Sequence, residues 1–334
     1  MSEKNIPKPT PAPKAKPIQW RDYIIYFVFV GIFIFFSVML HDKGFLSSVN
    51  LMNIARQTAT IAIMAVGMTF VLSAAEIDLS FGATVALAAI VSALTLQETD
   101  SILMAVSAAL LVGTMIGFIN GIFVTQVGIP SFLVTLGTTG IITGIARWST
   151  SLQSIPIDND TYAFIFGSGD IGPFSVLFIW TLLVAVVGAF VLRNTTFGKH
   201  VLATGGNKVS AMYSGINVNR IKLYVLMLNG FLAALAGILY SGRLYSARYT
   251  LGESDLMLVI AAVIIGGTSL FGGKGTVIGS VIGALIMGMV NNGLILMGLN
   301  VDQQLILRGI IVIVAVTFTM GQIRQLRKNS STKN

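Results

Sequence analysis

The chain has 334 residues, of which 54% are hydrophobic and only 10% are charged, with a formal net charge of +8. An average soluble domain carries about 25% charged residues, so this composition excludes an ordinary soluble protein. The absence of cysteine excludes disulfides, thiol catalysis and cysteine-based metal sites. Continuous apolar runs without period-2 alternation predict an all-α polytopic membrane protein rather than a barrel.

The chain divides into a membrane domain between two basic tails. Residues 1–22 are rich in proline and lysine and are predicted to be a disordered cytoplasmic tail. Residues 23–320 hold about ten predicted membrane-spanning helices, and residues 321–334 form the second basic tail, also predicted to be cytoplasmic. The predicted spans are 23–40, 52–73, 79–96, 102–125, 131–149, 174–192, 223–241, 255–270, 276–297 and 303–320.

The distribution of Lys and Arg predicts the orientation of these spans. Ten spans place both termini on the same side of the membrane. With the N-terminus inside, fifteen Lys and Arg lie in inside segments and three lie in outside segments. Because basic residues accumulate in cytoplasmic loops, we expect both termini in the cytoplasm. The spans 79–96 and 255–270 are short and flanked by acids, so a broken or re-entrant helix stays an alternative for each.

The two halves of the chain resemble each other faintly. Glu76-Ile77-Asp78-Leu79 opens the third predicted span, and Glu253-Ser254-Asp255-Leu256 opens the eighth. Glycines at similar spacing follow in the fourth and ninth spans. An odd number of helices per half would invert the second half, so the pattern predicts an inverted repeat of five plus five helices. Chance similarity is the alternative.

Glycine every fourth residue lets helix backbones approach closely inside a membrane, so these glycines are predicted to be helix-packing residues. They are Gly113, Gly117, Gly121, Gly140, Gly144, Gly279 and Gly283.

Residues 193–222 form the one long polar loop in which all charged residues are basic. Within it, Asn207 is suited to begin a short helix and Gly215 to end it. Val209, Met212 and Tyr213 would supply apolar contacts. Such a helix could fit a groove on a cytoplasmic partner or lie on the lipid surface, and the sequence favours neither.

No energy source is visible within the chain. The Gly-rich stretch 266–276 lacks the spacing of a phosphate-binding loop, since Thr268 replaces the required glycine. It is interpreted as a tight turn. Glu76 and Asp78 are interpreted as acids that cap the third span, with ion coupling as the weaker alternative.

Three segments resemble the permease subunits of the ribose/galactose/xylose class of bacterial ABC importers, most of all the ribose-type permeases. They are AVGMTFVLSAAEIDLSFGATVAL (65–87), FGKHVLATGGNKVSAMYSGINVNRIK (197–222) and IGGTSLFGGKGTVIGSVIGALIMGMVNNGL (265–294). The resemblance implies a multi-pass protein of the bacterial inner membrane that carries a monosaccharide by alternating access. It also identifies Glu76 and Asp78 with the acidic motif of that family.

The resemblance implies several partners. The chain would pair with itself or a similar permease, and a periplasmic or lipid-anchored binding protein would deliver the sugar. A cytoplasmic ATPase with two cassettes would hold ATP and Mg²⁺, so no cofactor is expected in this chain, nor any metal or nucleic acid. The residues expected to couple to the ATPase are Asn207, Lys208, Val209, Ala211, Met212, Tyr213, Ser214 and Gly215.

Asn120, Asn291 and Asn292 are candidates for facing polar cargo, with caps or interhelix hydrogen bonds as the alternative. Three other functions stay open from the sequence. They are import of an amino acid or nucleoside by the same architecture, secondary transport driven by an ion gradient, and intramembrane catalysis. The last is disfavoured because the chain lacks HExxH and GxSxG motifs and any cysteine nucleophile.

Overall fold

A computed structural model describes residues 24–311, 313–314 and 317. The predicted tails 1–22 and 321–334 and the end of the tenth predicted span lie outside these residues. Within the described part, residues 301–311 are helical and follow twelve α-helices. These are α1 (Ile24–Met39), α2 (Ser48–Ser73), α3 (Phe81–Thr99), α4 (Ile102–Ile122), α5 (Ser131–Thr150), α6 (Asp160–Ala163), α7 (Val176–Asn194), α8 (Thr196–Gly206), α9 (Lys208–Tyr213), α10 (Val218–Leu244), α11 (Asp255–Ile265) and α12 (Val277–Leu296).

Six helices of the described residues, α2, α3, α4, α7, α10 and α12, are long and apolar enough to cross a membrane. Two further apolar helices, α1 and α11, are shorter, and α5, which has 20 residues, is not among the six. The chain is therefore an all-α polytopic membrane protein, as predicted. The eighth predicted span is shorter than expected, because α11 ends at Ile265 and the Gly-rich turn begins directly after it.

The polar loop 193–222 is more helical than the sequence indicates. We expected one short helix, and the structure contains two, α8 and α9, while α10 begins at Val218 instead of 223. Thr195 explains the additional helix, since its hydroxyl accepts a hydrogen bond from the Gly198 amide at 3.2 Å and thereby caps α8.

The core lies around α2 and α10. In their most apolar windows, 83% of α2 and 72% of α10 is buried, compared with 28% of α7. Helix α10 packs against α2, α3 and α4, and α12 packs against α2 and α11. Close approach is possible because of glycine, since a Cβ on Gly113 would meet Gly230 and Ala234, and one on Gly117 would meet Leu226. The predicted packing role of the α4 glycines is thus visible in contacts with α10.

The segments between helices gather at two ends of the bundle. At one end, called the strand end here, two short antiparallel pairs form. They join β1 (Ile155–Pro156) to β4 (Ser246–Ala247) and β2 (Asp170–Ile171) to β3 (Phe174–Ser175). The same end holds an ion pair in which the Arg56 guanidinium lies 2.6 Å from the carboxylate of Asp170.

The opposite end, called the loop end here, brings together three segments that are distant in sequence. The Gly273 amide donates to the carbonyl of Ser73 at 3.0 Å, which joins the turn 266–276 to the end of α2. Gly205 of α8 lies against the same carbonyl. Successive connections between the long helices lie alternately at the strand end and at the loop end. Each of these helices therefore crosses the bundle from one end to the other.

Candidate functional site

Helix α9 is a short capped helix that presents apolar side chains to its surroundings. The Asn207 side chain accepts a hydrogen bond from the Ser210 amide at 3.0 Å, and Gly215 follows the helix with φ of +83°. The prediction that these two residues begin and end the helix is confirmed. Ala211 is buried, whereas Tyr213 is 89% exposed. Val209 and Met212 are also exposed, so the face is open to a partner.

The Gly-rich stretch beside α8 forms a tight turn, as expected. Gly267, Gly272 and Gly273 all have φ between +75° and +88°, a region that side chains rarely adopt. A Cβ on Gly272 would also meet the backbone of Gly205. The turn therefore requires glycine for its conformation and for its contact with α8, and no phosphate-binding role is needed to explain its composition.

Residues 74–80, which we call the unwound segment, separate α2 from α3 and carry the acidic motif. Asp78 meets Asn229 and Glu76 meets Lys222, both on α10. Asn229 lies seven residues beyond Lys222 along α10, which corresponds to about 10 Å of helix rise. The unwound segment therefore runs along α10 into the bundle.

Both carboxylates of the unwound segment have a partner on α10, and Asp78 also bonds within its own segment. Glu76 forms an ion pair with Lys222, and both side chains are largely shielded, at 7% and 18% exposure. Asp78 accepts hydrogen bonds from the Asn229 amide at 2.8 Å and from the hydroxyl and amide of Ser80 at 2.6 and 2.8 Å. Glu76 therefore bonds to α10, whereas Asp78 bonds both to α10 and to Ser80, the residue directly before α3, so capping of the third span stays a prediction.

Helix α5 satisfies the backbone of the unwound segment with a row of hydroxyls. The Ile77 amide donates to Ser131 and the Leu79 amide donates to Thr135, both at 3.0 Å, and Thr139 donates to the Leu79 carbonyl at 3.1 Å. Non-helical backbone at membrane depth requires such partners. Sequence reasoning missed this contact, although Ser or Thr at every fourth position after Pro130 was a visible signal.

The three candidate asparagines all have polar partners within the chain. Asn120 donates to the Ser80 hydroxyl at 2.9 Å and accepts from Thr138 at 2.7 Å. Asn292 exchanges two hydrogen bonds with Asn50, at 2.9 and 3.1 Å. Asn291 accepts from Arg308. These contacts are those of the interhelix hydrogen-bond alternative, and a role toward cargo stays a prediction.

The glycines of the ninth predicted span also meet a neighbouring helix. A Cβ on Gly279 would meet the carbonyl of Gly266, and one on Gly283 would meet that of Ala262. Gly121 likewise faces Leu223 of α10. The open positions are Gly140 and Gly144 on α5, where an added Cβ has no neighbour within 4 Å. Within the described chain these two glycines therefore pack against no other helix, and the packing predicted for them has no partner here.

A multi-pass helical bundle with an exposed short helix at one end and hydrogen-bonded non-helical backbone inside it is consistent with a membrane transport subunit. The chain belongs to a protein family described as branched-chain amino acid transport system / permease component, whose pattern matches residues 50–316. This membership identifies a permease subunit of an ATP-binding-cassette transporter and not an enzyme. No solved structure gives a significant match.

Curated relatives are similar over nearly their whole length. The chain is 39% identical to the ribose import permease protein RbsC of Haemophilus influenzae, over 90% of this chain and 92% of that protein. It is 40% identical to RbsC of Escherichia coli K12, over 82% and 87% of the two chains. It is 36% identical to the galactose/methyl galactoside import permease protein MglC of E. coli, over 92% and 94%.

Proposed function

We propose that this chain is the membrane permease subunit of an importer for a ribose-like monosaccharide. The observation that carries the proposal is the identity of 39% with a ribose import permease, over about nine-tenths of both chains. The family description names branched-chain amino acids, which gives a second candidate substrate. The named relatives favour a sugar, since those similar across the chain include permeases for ribose, allose and galactose.

The family supplies the partners that such a subunit needs. An importer of this class requires a cytoplasmic ATPase and a binding protein. We propose that the ATPase has two cassettes, carries ATP and Mg²⁺, and receives α9, whose exposed Tyr213 and Met212 are suited to a protein groove. The binding protein, periplasmic or lipid-anchored, would meet the strand end. A homodimer or a pair with a similar permease would enclose the pathway, and this chain itself would need no cofactor.

The proposed topology is ten spans in the bacterial inner membrane with both termini in the cytoplasm. In support, the loop end holds the connections predicted to lie inside, and the strand end holds those predicted to lie outside. Arg193, Lys199, Lys208 and Lys274 belong to the loop end, which favours the cytoplasmic side. The membrane domain would extend over 23–320 between the two basic tails.

The packing of the helices supports the proposed inverted repeat. Helix α4 packs on α10 as α12 packs on α2, and α3 packs on α10 as α11 packs on α2. Likewise α3 packs on α4 as α11 packs on α12. Exchanging α2 with α10, α3 with α11 and α4 with α12 converts each of these contacts into its counterpart. Two related halves around one interface are a common plan for alternating access.

Reconstituted transport tests the proposed function. The chain is assembled with its cognate ATPase and binding protein in proteoliposomes, and uptake of radiolabelled D-ribose, D-allose, D-galactose and L-leucine is compared. We expect ATP-dependent accumulation of a monosaccharide and none of leucine. Leucine uptake would replace the sugar proposal by the amino acid alternative. Uptake by the chain alone, driven by a proton or sodium gradient, would overturn the proposal in favour of a secondary carrier.

A further inference from the structure

The connection between α9 and α10 is short and hydrogen-bonded. The Ile216 amide donates to the carbonyl of Ala211 at 3.1 Å, and the Asn217 side chain accepts from the Arg220 amide at 3.0 Å. The start of α10 is thereby tied to the docking helix. Lys222 lies five residues after Asn217 and makes its ion pair with Glu76. A displacement of α9 would therefore move the start of α10 and change the geometry of the Glu76–Lys222 ion pair.

The same unwound segment that carries Glu76 is attached to α5. Ser131, Thr135 and Thr139 bond to its backbone. Elsewhere α5 is open, since Gly137, Gly140 and Gly144 have no neighbour that an added Cβ would meet within 4 Å. Its remaining packing is mainly with α3, the helix that the unwound segment begins. The unwound segment is thus a polar attachment of α5 to the core, in addition to the hydrogen bond from Thr138 to Asn120 on α4.

We propose that the Glu76–Lys222 ion pair couples the docking helix to α5 during transport. This inference rests on the proposed function, because it assumes that an ATPase moves α9. Glu76 and Lys222 act in this proposal as positioning residues, through the segments that they join. Stability alone is a weak explanation for a shielded ion pair, since replacement of both charges by neutral groups is often tolerated. A role in transmitting movement explains why the pair joins these two segments.

Substitutions at the pair separate a mechanical role from a structural one. We compare Lys222→Gln, the double variant Glu76→Gln with Lys222→Gln, and the exchange Glu76→Lys with Lys222→Glu. Arg220→Gln is the matched control, because it removes an exposed basic side chain two residues away on α10. Each is assembled with the ATPase and binding protein in proteoliposomes. Thermal midpoint, ATP hydrolysis and D-ribose uptake are then measured.

We expect Lys222→Gln to lower the midpoint and to reduce ribose moved per ATP hydrolysed by about tenfold, a common size for coupling between sites. The double glutamine variant regains the midpoint, because no buried charge stays unpaired, but not the transport ratio. The exchange regains both, and Arg220→Gln behaves like the wild type.

Two results would overturn this inference. One is a normal transport ratio in the double glutamine variant, which would show that the pair has a structural role only. The other is an equal loss of the ratio in Arg220→Gln, which would assign the effect to the basic loop in general. If the exchange variant does not fold, the double glutamine variant decides alone. A wild-type complex that moves no sugar would instead overturn the proposed function, so the two failures are distinguishable.

Discussion

At the residue scale, glycines with similar spacing have different neighbours. Gly117 on α4 faces the backbone of α10, where an added Cβ would meet the Leu226 carbonyl. Gly140 on α5 faces open space within the described chain. Spacing alone predicts packing for both, because it reports where close approach is possible and not whether a second helix is there. Only the arrangement of helices separates the two cases.

The substitution Gly117→Ala is expected to destabilise the protein, whereas Gly140→Ala is not. Overpacking against the carbonyl of Leu226 costs about 1–3 kcal/mol, which exceeds the gain of up to ~1 kcal/mol in helix propensity. Gly140→Ala has the gain without the clash. Thermal unfolding of both variants in the same detergent checks this. Equal midpoints would contradict the packing of α4 on α10.

The residues of the unwound segment show what sequence reasoning could reach at this scale. Glu76 and Asp78 are visible in the sequence as acids in an apolar region. Their partners Lys222 and Asn229 lie far away in the sequence, and local rules predict only local roles such as capping. The sequence therefore locates the acids but does not predict their partners on α10.

At the element scale, α9 is a helix of six residues that owes its order to its ends and to one anchor. A helix this short is not stable in isolation. Asn207 caps it, Gly215 ends it, and buried Ala211 fixes it to the protein. The outward side chains contribute little to that order. These side chains are therefore available for contact with a partner. They can be substituted to test that contact without unfolding α9.

The substitution Tyr213→Asp is expected to abolish ATP-driven uptake and ATPase binding while changing the free energy of unfolding by no more than about 0.5 kcal/mol, as for an exposed surface site. Its side chain is 89% exposed, and a charge there would oppose docking in an apolar groove. Tyr213→Phe is the control and should retain function. Co-purification of the ATPase with each variant provides the measurement. Normal binding in Tyr213→Asp would favour a helix that lies on lipid instead.

Elements differ in how far the sequence predicts them. Helix α9 was predicted with its cap residues, since Asn and Gly act through local hydrogen bonds and dihedral angles. Helix α8 was missed because its cap Thr195 lies in a stretch that reads as polar loop. The role of the hydroxyl row of α5 was missed as well, because these hydroxyls form hydrogen bonds with the backbone of residues 77–79, which is distant in sequence. Caps and turns that depend on neighbouring residues can be predicted from the sequence, whereas hydrogen-bond partners that are distant in sequence cannot.

At the scale of the whole molecule, the distribution of charge and the tertiary contacts assign the connecting segments to the same two ends of the bundle. Gly273, Ser73 and Gly205 meet at the loop end, and the neighbouring connections carry the basic residues of loop 193–222. At the strand end, Asp100 accepts from Asn159 at 3.1 Å, and Asp158 and Asp160 flank Asn159. The alternation was predictable from apolar runs and charge. The packing of α2 on α10 at its centre was not.

Labelling of single cysteines from either side of the membrane tests this arrangement, because the chain has no cysteine of its own. Lys208→Cys and Asp158→Cys are both at exposed positions and lie at opposite ends of the bundle. In intact cells, a membrane-impermeant maleimide should label Asp158→Cys and not Lys208→Cys. In inside-out vesicles the result should reverse, with total labelling in detergent as the control. Labelling of both variants from the same side would show that the two positions do not lie on opposite sides of the membrane. A reversed pattern would keep the fold but place α9 outside, where no ATPase could drive it.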